Sequence, residues 1–363
     1  MHSIRMKFAL VTALLAVTLW IPSSVRVVAQ APVLTMASIA SLAFGPDGTL
    51  FAADNQNAAV VALDLGTQAG AAGAKGLDGL DQKLAAMLGT GAADITITDL
   101  AVHPRTHNAY ISAMRGQGAG AQPTLFRIDG TGKIDLVSMA SLKFQRVELP
   151  NAPAAGGTGR GNARANVITD MAFADGKLWV AGLSNEEFAS NLRAIQYPFR
   201  SADHGTSVEI YHGNHRQLET RSPVNQFVPY TIDNKPYLLA GYTCTPLVKF
   251  QIADLKPGDK VRGTTIGEFG AGNRVLDMIV YKKAGQEFLL TTNNSRGVMK
   301  IPTRTFATAA PITTPVETET GGVPFEKITT MTGIQQMDKL DEENSIVIAR
   351  AASGLNLQVV PLP

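Results

Sequence analysis

The sequence predicts an all-β fold, a six-bladed β-propeller, because one strand–turn–strand unit recurs along the chain and a third strand follows most copies. The unit comprises a polar residue, an alternating apolar strand, a turn and a second strand rich in aromatic and branched residues. The first copy, SIASLAFGPDGTLFAAD from Ser38, turns at Pro46-Asp47-Gly48, where Pro presets φ and Gly accepts positive φ. Two face-packed sheets would also use alternating strands, but they would not require a repeated unit.

Further copies follow at spacings of roughly 50 to 70 residues, slightly above the usual period of a four-stranded blade. They begin at Thr96, Asn166, Ser222, Arg274 and, most weakly, Thr329. Third strands are AVVALDL, TLFRIDG, LVKFQIADL and GVMKIPT, and the clearest fourth strands are KIDLVSM and SVEIYHG. Six copies predict six blades, and the N-terminal segment near Val33 is a candidate to complete the last one.

The first 29 residues have the pattern of a secretory signal peptide. Arg5 and Lys7 precede an apolar run from Phe8 to Trp20, and small residues lead to a cleavage position after Ala29. The run is shorter than the roughly 20 residues of a membrane-spanning helix, although an uncleaved anchor is the alternative. We therefore expect a periplasmic or secreted protein without stable membrane insertion, in which residues 30–363 form a single β-propeller domain.

Charge and cysteine content narrow the possible partners. Removal of the signal changes the formal net charge from +2 to about −1, and no basic tract remains, which argues against nucleic acid or anionic lipid as a partner. Cys244 is the only cysteine, so no intramolecular disulfide is possible and its thiol should be shielded or metal-bound. A small molecule or another exported protein is the expected partner.

Two segments depart from the repeat. Gly66–Asp94 is rich in Gly and Ala and contains a predicted short helix near residues 77–88, LDQKLAAMLG, with Asp78 or Asp81 as its cap. Asn151–Ala165 is rich in Gly, Ala and Arg and has no periodicity. We interpret both as surface insertions, with covering a site as the alternative.

The units LAFGPDGTLFAAD and DMAFADGKLWVAG resemble the superfamily of six-bladed propellers that includes the gluconolactonase and paraoxonase group and the NHL-repeat proteins. The resemblance covers most of the chain after the signal, as a repeat pattern. It implies the propeller fold and, for the lactonase group, a catalytic calcium held by Asn, Asp and Glu side chains at the channel. Such architectures also serve other enzymes and binding proteins, so the fold alone does not decide the function.

The repeat also places polar residues. Each inner strand of a propeller starts on the same face, here called the upper face, so residues entering these strands should surround the mouth of the central channel. They are Asp99, Asp170, Asn225 or neighbouring Gln226, and Asp277. Converging oxygen ligands are what Ca²⁺ requires, which predicts a calcium site. The alternative is that each carboxylate only hydrogen-bonds backbone amides of the next blade.

The stretch VEIYHGNHRQLETR from Val208 brings His212, His215, Glu219 and Arg221 to the same face as candidate catalytic residues. The two histidines are three residues apart and could share a metal if the chain turns after Gly213. Cys244 on the neighbouring blade would add a soft ligand and shift the metal from calcium towards copper, zinc or iron. Exposed or hydrogen-bonded histidines are the alternative.

The remaining histidines after the signal, His103, His107 and His204, map to the opposite face and are predicted to be structural. No Gly-x-Ser-x-Gly, Cys-x-x-Cys, phosphate-loop or dinucleotide fingerprint occurs in the chain.

Three functional hypotheses follow. The first is a metal-dependent propeller enzyme acting on a small molecule at the channel mouth, where the cation polarises a carbonyl and His212 or His215 acts as general base. By resemblance its reaction would be lactonase-like hydrolysis. The second is a transition-metal redox protein using His212, His215 and Cys244. The third is a non-catalytic binding or scaffold propeller.

Overall fold

Six sheets, built almost entirely from antiparallel pairs, surround a central channel in the described part of the chain and confirm the predicted six-bladed propeller. The computed structural model describes residues 33–66, 73–156, 162–244 and 246–363, so the predicted signal peptide lies outside the described residues. Among the described residues, no helix is both long enough and apolar enough to cross a membrane.

The strands in chain order are β1 (Leu42–Phe44), β2 (Leu50–Asp54), β3 (Ala59–Asp64), β4 (Ile95–Val102), β5 (Ala109–Arg115), β6 (Gln122–Ile128), β7 (Ile134–Leu136), β8 (Lys143–Glu148), β9 (Asp170–Ala174), β10 (Lys177–Leu183), β11 (Ser190–Gln196), β12 (Thr206–His212), β13 (Gln217–Glu219), β14 (Gln226–Ile232), β15 (Lys235–Gly241), β16 (Pro246–Gln251), β17 (Lys260–Arg262), β18 (Thr264–Glu268), β19 (Val275–Lys283), β20 (Gln286–Asn293), β21 (Gly297–Pro302), β22 (Gly321–Gly322), β23 (Glu326–Ile328), β24 (Ile334–Lys339), β25 (Asn344–Ala351) and β26 (Gly354–Pro361). The helix α1 spans Leu80–Met87. Single turns of 3-10 helix lie at Ala92–Asp94, Gly118–Gly120, Met139–Ser141, Ala163–Asn166, Ile252–Asp254 and Thr303–Thr305.

The blades are numbered by their inner strands in chain order. Blade 1 is β1-β2-β3-β8, blade 2 is β4-β5-β6-β7, and blade 3 is β9-β10-β11-β12 with β13 beyond it. Blade 4 is β14-β15-β16-β18-β22, blade 5 is β19-β20-β21-β23, and blade 6 is β24-β25-β26.

The first hairpin illustrates how the repeat folds. Gly48 has φ +91°, the left-handed conformation that the Pro46-Asp47-Gly48 turn predicts, and its N–H donates to the Gly45 carbonyl over 3.0 Å. The Asp47 carboxylate accepts the Thr49 N–H at 3.0 Å and so ties the turn to the second strand. Alternating apolar residues of β2 then face the two neighbouring blades, so that Leu50 packs towards blade 2 and Phe51 towards blade 3.

The blades do not follow one another around the ring in chain order. Buried clusters join blade 1 to blade 2 and to blade 3, and another joins blade 2 to blade 6. Further clusters join blades 3 and 4, 4 and 5, and 5 and 6. The order in space is therefore 2-1-3-4-5-6. After blade 2 the chain returns as β8 to form the outer strand of blade 1, and then enters blade 3.

The ring order explains where the first insertion packs. The insertion connects blade 1 to blade 2, and its helix α1 buries Leu80 and Leu84 in the cluster shared by blades 2 and 6. The helix is therefore part of the core. The predicted cap is wrong: Gly79, with φ +61°, occupies the N-cap, and no side chain caps the helix. An αL glycine supplies the sharp entry that a carboxylate cap would otherwise mark.

The N-terminal segment does not complete the last blade. Leu34 and Ile39 pack in the cluster between blades 1 and 2, whereas blade 6 consists of β24, β25 and β26. Its outer strand receives one short bridge from the first insertion, in which Leu77 and Leu357 exchange backbone hydrogen bonds of 2.8 Å. The reason is the ring order, which places the start of the chain beside blade 2 and away from blade 6.

The outer strand of blade 3 is displaced towards the upper face. β12 pairs with β11 only through Asn191–Ser207 and Leu192–Thr206, the start of β11, which lies at the upper face. β12 also pairs with β13 and, in parallel, with β17, which lies between β16 and β18 of blade 4 in the chain. The Thr265 hydroxyl of β18 donates to the Tyr211 carbonyl at 2.7 Å. The end of β12 and the β12–β13 hairpin therefore lie on the upper rim between blades 3 and 4.

Candidate metal centre

The carboxylates predicted to surround the channel do so, and each joins two blades. Asp99, Asp170 and Asp277 each accept the N–H of the following residue through one oxygen and the N–H of an inner strand in the next blade through the other. The interblade acceptances, from Leu42, Phe227 and Met337, span 2.6 to 2.7 Å. This arrangement is the one expected if each carboxylate hydrogen-bonds backbone amides of the next blade and holds no cation.

Equivalent positions in the other blades carry neutral groups. In these blades the inner-strand N–H that an aspartate accepts belongs to Leu42, Phe227 or Met337. The residue just before each donor occupies the position of the aspartate, and it is Ser41 in blade 1, Gln226 in blade 4 and Gln336 in blade 6. Acidic and neutral side chains therefore alternate around the ring. A fourth acid, Asp338, lies two residues farther along blade 6 and accepts the Val102 N–H of blade 2 at 2.7 Å. Asp99, Asp170, Asp277 and Asp338 are hereafter called the channel carboxylates.

Sequence reasoning missed Asp338, because the weak last repeat hid its register. Of the predicted pair Asn225 or Gln226, the ring residue is Gln226, and the Asn225 amide instead donates to the Thr243 hydroxyl at 3.2 Å.

Burial shifts the titration of all four channel carboxylates upward. It raises the pKa of Asp99 to about 7 and that of Asp338 to about 6, while hydrogen bonds from backbone N–H groups act in the opposite direction. The pKa values of Asp170 and Asp277 are also raised well above the ordinary value, by burial and by neighbouring carboxylates. Each added negative charge in the ring therefore carries a large free-energy cost unless a proton or a cation compensates it.

The channel widens on either side of this ring. A cavity of about 270 Å³ lies on the upper side and is lined by polar groups that include Asn55, Thr98, Asn225, Gln226, Arg274 and Gln336. The second insertion contributes Ala165 and Asn166 to the lining, and the Asn55 amide donates to the Ala165 carbonyl at 2.7 Å. This insertion therefore borders the mouth of the channel. A cavity of about 310 Å³ lies on the other side of the ring.

The candidate catalytic residues lie elsewhere on the upper face, on the rim. His212 ends β12, His215 lies in the turn and Glu219 ends β13, so one hairpin brings all three together. Their ligand atoms lie within 4.8 Å of one another, an arrangement that can hold a metal ion. Nδ1 of His212 is 3.2 Å from Oε2 of Glu219, and Nδ1 of His215 is 2.5 Å from Oε1 of the same carboxylate.

A fourth side chain, Glu268 at the end of β18, comes from blade 4. Its Oε2 is 3.7 Å from Nε2 of His212, and its Oε1 accepts the N–H of Gly213 at 2.6 Å. Both His212 and Glu268 are 0% exposed. Sequence reasoning missed Glu268, because it lies 55 residues beyond Gly213 in no recognisable motif. His212, His215, Glu219 and Glu268 are hereafter called the rim site.

The rim site contains buried polar atoms without partners. The two ring nitrogens of His212 and Oε2 of Glu268 lack a hydrogen bond of good geometry to the described residues. The hydroxyl of Tyr242, which is buried beside the site, is likewise unpartnered among these residues. Buried polar atoms are normally hydrogen-bonded, so this concentration points to a ligand or an ion.

The two rim carboxylates differ electrostatically. Burial acts to raise the pKa of Glu219, but the imidazoles of His212 and His215 outweigh it and lower that pKa to about 2. Burial raises the pKa of Glu268, and the nearby His212 only partly offsets this. Burial, together with the Glu219 carboxylate, also raises the pKa of Tyr242. Glu219 is therefore an anion over the whole physiological pH range.

Packing fixes the hairpin in place. Val316 donates its N–H to the Gly213 carbonyl at 3.2 Å, and a Cβ at Gly213 would approach a Val316 methyl to 2.6 Å. Arg216 in the turn forms a 2.8 Å ion pair with Glu317. His215 remains 39% exposed, whereas Glu219 is only 12% exposed, so solvent reaches the site from the His215 side.

The structure does not bring the other predicted residues into the rim site. Arg221 is exposed and makes no hydrogen bond or ion pair to the described part of the chain. Cys244 is buried, as predicted for a lone thiol, but it is not among the residues whose ligand atoms cluster here, and its sulfur accepts the Gly272 N–H at 3.3 Å. The pairing of Cys244 with the two histidines in one metal site is thus not what the fold arranges.

His204 is not on the lower face. Its Nδ1 lies 2.5 Å from the Asn151 amide nitrogen and 3.5 Å from Glu186, which belongs to the upper loop between β10 and β11. His204 lies just before β12, so the displacement of β12 towards the upper face carries His204 with it. His103 and His107 lie in the turn between β4 and β5, as predicted, and Nδ1 of His103 accepts the Arg105 and Thr106 N–H groups at 3.2 and 3.1 Å.

Fold and site together define a six-bladed β-propeller with a candidate metal centre on its upper rim. No protein-family model matches the chain, and no curated protein sequence matches it.

Among solved structures, the chain is similar to a putative oxidoreductase (glucose dehydrogenase) from Thermus thermophilus, with 11% identity, a TM-score of 0.35 and coverage of 90% of this chain and 97% of that one. A streptogramin B lyase has 10% identity, a TM-score of 0.35 and coverage of 91% and 95%. The soluble aldose sugar dehydrogenase of Escherichia coli has 11% identity, a TM-score of 0.35 and coverage of 89% and 96%. These likenesses carry no argument about activity.

Proposed function

We propose that this chain is an exported propeller enzyme that binds a divalent transition metal at His212, His215 and Glu219 and acts on a small molecule there. The observation that carries the proposal is the convergence of two imidazoles and an ionised carboxylate within 4.8 Å. Zinc, copper and iron accept this ligand set, and catalytic sites commonly use three protein ligands and leave a position open.

The spacing of the ligands supports the proposal. Two atoms bound to one zinc ion at about 2.1 Å with tetrahedral angles lie about 3.4 Å apart. Nδ1 of His212 and Oε2 of Glu219 are separated by 3.2 Å, close to this value. Nδ1 of His215 and Oε1 of Glu219 are too close, at 2.5 Å, but the His215 side chain is 39% exposed, so rotation about its side-chain torsions can lengthen this distance without moving the turn.

The chemistry we propose is hydrolytic, in keeping with the lactonase-like expectation. A bound zinc-class ion would polarise a carbonyl or lower the pKa of a bound water. Glu219 and the histidines then act as ligands, which replaces the general-base role expected for His212 or His215. Arg221, exposed two residues beyond Glu219, is available to an anionic group on the substrate.

The test is metal binding by the chain from residue 30 onward, purified without chelator. We expect one zinc per chain by elemental analysis or calorimetric titration. His215→Ala should weaken zinc binding by more than about tenfold, since even changes outside the ligand shell cost 10- to 100-fold. His204→Ala is the matched control, because His204 is also exposed and faces a carboxylate, Glu186, at 3.5 Å.

Equal affinity in the two variants would refute the metal centre. Iron or copper in the purified protein would instead favour a redox role, with Glu219 in place of the Cys244 ligand that the redox hypothesis named.

The second candidate function is non-catalytic binding of a small polar molecule at the channel mouth. It is favoured by the cavity of about 270 Å³, whose amides, hydroxyls and Arg274 offer hydrogen bonds. The same mouth opens on Asp99, and a calcium ion bound there would instead favour the lactonase-like reaction. Absence of metal from the purified protein, with no thermal stabilisation by zinc or calcium, would leave this candidate as the better account.

A further inference from the structure

The rim site contains a carboxylate that is not needed as a ligand. Glu219 supplies both oxygens that face the two histidines, while Glu268 lies on the other side of His212, opposite Nε2. Glu268 also reaches the site from a different blade. Its position therefore requires an explanation of its own.

We propose that Glu268 is a positioning residue that holds His212 in the tautomer with the proton on Nε2, so that Nδ1 presents its lone pair to the metal. This inference rests on the proposed metal centre. Histidine ligands generally donate their second ring N–H to a carboxylate or carbonyl, which fixes the tautomer and the ring orientation. Here Nδ1 faces Glu219 and Nε2 faces Glu268, so the two nitrogens already have distinct surroundings.

Burial makes this role specific. His212 and Glu268 are both fully buried, so the carboxylate, 3.7 Å away, is the acceptor that the described residues offer to Nε2. The separation of 3.7 Å exceeds the hydrogen-bond range by about half an ångström, and we expect metal loading to close this gap.

The backbone contact adds a second constraint. Oε1 of Glu268 accepts the N–H of Gly213, the residue after His212, so one carboxylate fixes both the ring and the start of the hairpin. Because β18 belongs to blade 4 and β12 to blade 3, the metal centre depends on the packing of these two blades.

The test compares zinc affinity in the wild type, Glu268→Gln and the matched control Glu209→Gln. The amide in Glu268→Gln can still accept the Gly213 N–H, but its NH₂ would face Nε2 and favour the opposite tautomer. We expect a 10- to 100-fold loss of zinc affinity. Glu209 lies on the same strand as His212 and pairs with Arg262 at 2.7 Å, and its substitution should leave zinc affinity unchanged.

A second measurement reads the hydrogen bond directly in the zinc-loaded protein. The His212 Nε2–H proton should resonate far downfield in the wild type, as expected for a hydrogen bond to a carboxylate, and should move upfield in Glu268→Gln, whereas Glu268→Asp should retain the downfield shift in part. A merely structural role would not move this signal.

The outcomes separate the two proposals. Wild type that binds no zinc refutes the proposed function. Wild type that binds zinc, with equal affinity in Glu268→Gln, refutes the positioning role alone, as does a His212 Nε2–H resonance that is unchanged in Glu268→Gln.

Discussion

The channel and the rim both bury acidic side chains, but they satisfy them differently. Each channel carboxylate accepts two backbone N–H groups, one from its own strand and one from a neighbouring blade. At the rim, His212 and Glu268 are fully buried yet keep atoms without hydrogen bonds to the described residues. Groups that the fold satisfies by itself belong to the architecture, and groups that it leaves unsatisfied mark where a ligand belongs.

The ionisation of the two regions differs in the same way. The channel carboxylates have raised pKa values because burial is only partly offset, whereas imidazoles hold the pKa of Glu219 at about 2. The channel carboxylates therefore favour protons or a cation, whereas at the rim the Glu219 carboxylate stays ionised between His212 and His215. Stability and metal affinity should consequently respond to different substitutions.

The largest expected effect is a loss of stability as the pH rises. In the folded state Asp99 titrates at about 7 and Asp338 at about 6, against 3.8 when unfolded. The folded state therefore binds more protons between these values, so the contribution of these two carboxylates to stability is largest below about pH 4 and falls as the pH approaches 7. Glu219 affects stability at acidic pH. Its stabilising contribution is present above pH 4.5 and is lost only as the pH falls towards 2.

Thermal melts from pH 4 to pH 8 measure this dependence. Burial lowers the pKa of His103, which acts in the opposite direction, so the contribution of Asp99 is the part of the slope that Asp99→Asn removes. An unchanged slope in that variant would show that Asp99 does not contribute to the pH response.

The next largest effect is the loss of a hydrogen-bonded contact between two blades. Asp99→Ala leaves the buried N–H groups of Leu42 and Leu100 without their acceptor, and we expect a cost of about 3 kcal/mol in the free energy of unfolding. If the carboxylate only ties blades, denaturant titrations with added calcium and with chelator should give the same loss. A loss that appears only with calcium would instead place the predicted cation in the channel.

The sequence was sufficient for the blades and for the placement of His212, His215 and Glu219 in one short stretch. Strand alternation and turn chemistry act over a few residues, and so they predicted six units, but the third ligand expected beside the two histidines was Cys244 and not Glu219. The ring order 2-1-3-4-5-6 could not be predicted, because the repeats share one apolar pattern and any of them can pack beside another. Glu268 and the position of His204 depend on the displacement of β12, which is set by contacts with blade 4.

The smallest expected effect concerns the unpartnered hydroxyl of Tyr242 and sharpens the comparison. Removing a buried hydroxyl that has no partner relieves a desolvation cost, so Tyr242→Phe should change the free energy of unfolding by less than about 0.5 kcal/mol or stabilise the protein. Tyr281→Phe is the matched control, because the Tyr281 hydroxyl donates to the Pro363 carbonyl at 2.5 Å and its loss should cost about 1 kcal/mol. Urea titrations of the metal-free protein measure both. A loss for Tyr242→Phe as large as the control would mean that the hydroxyl is bonded in solution, through Ser190 or a bound water. The rim would then be satisfied in the same way as the channel, and unpartnered atoms would no longer point to a ligand there.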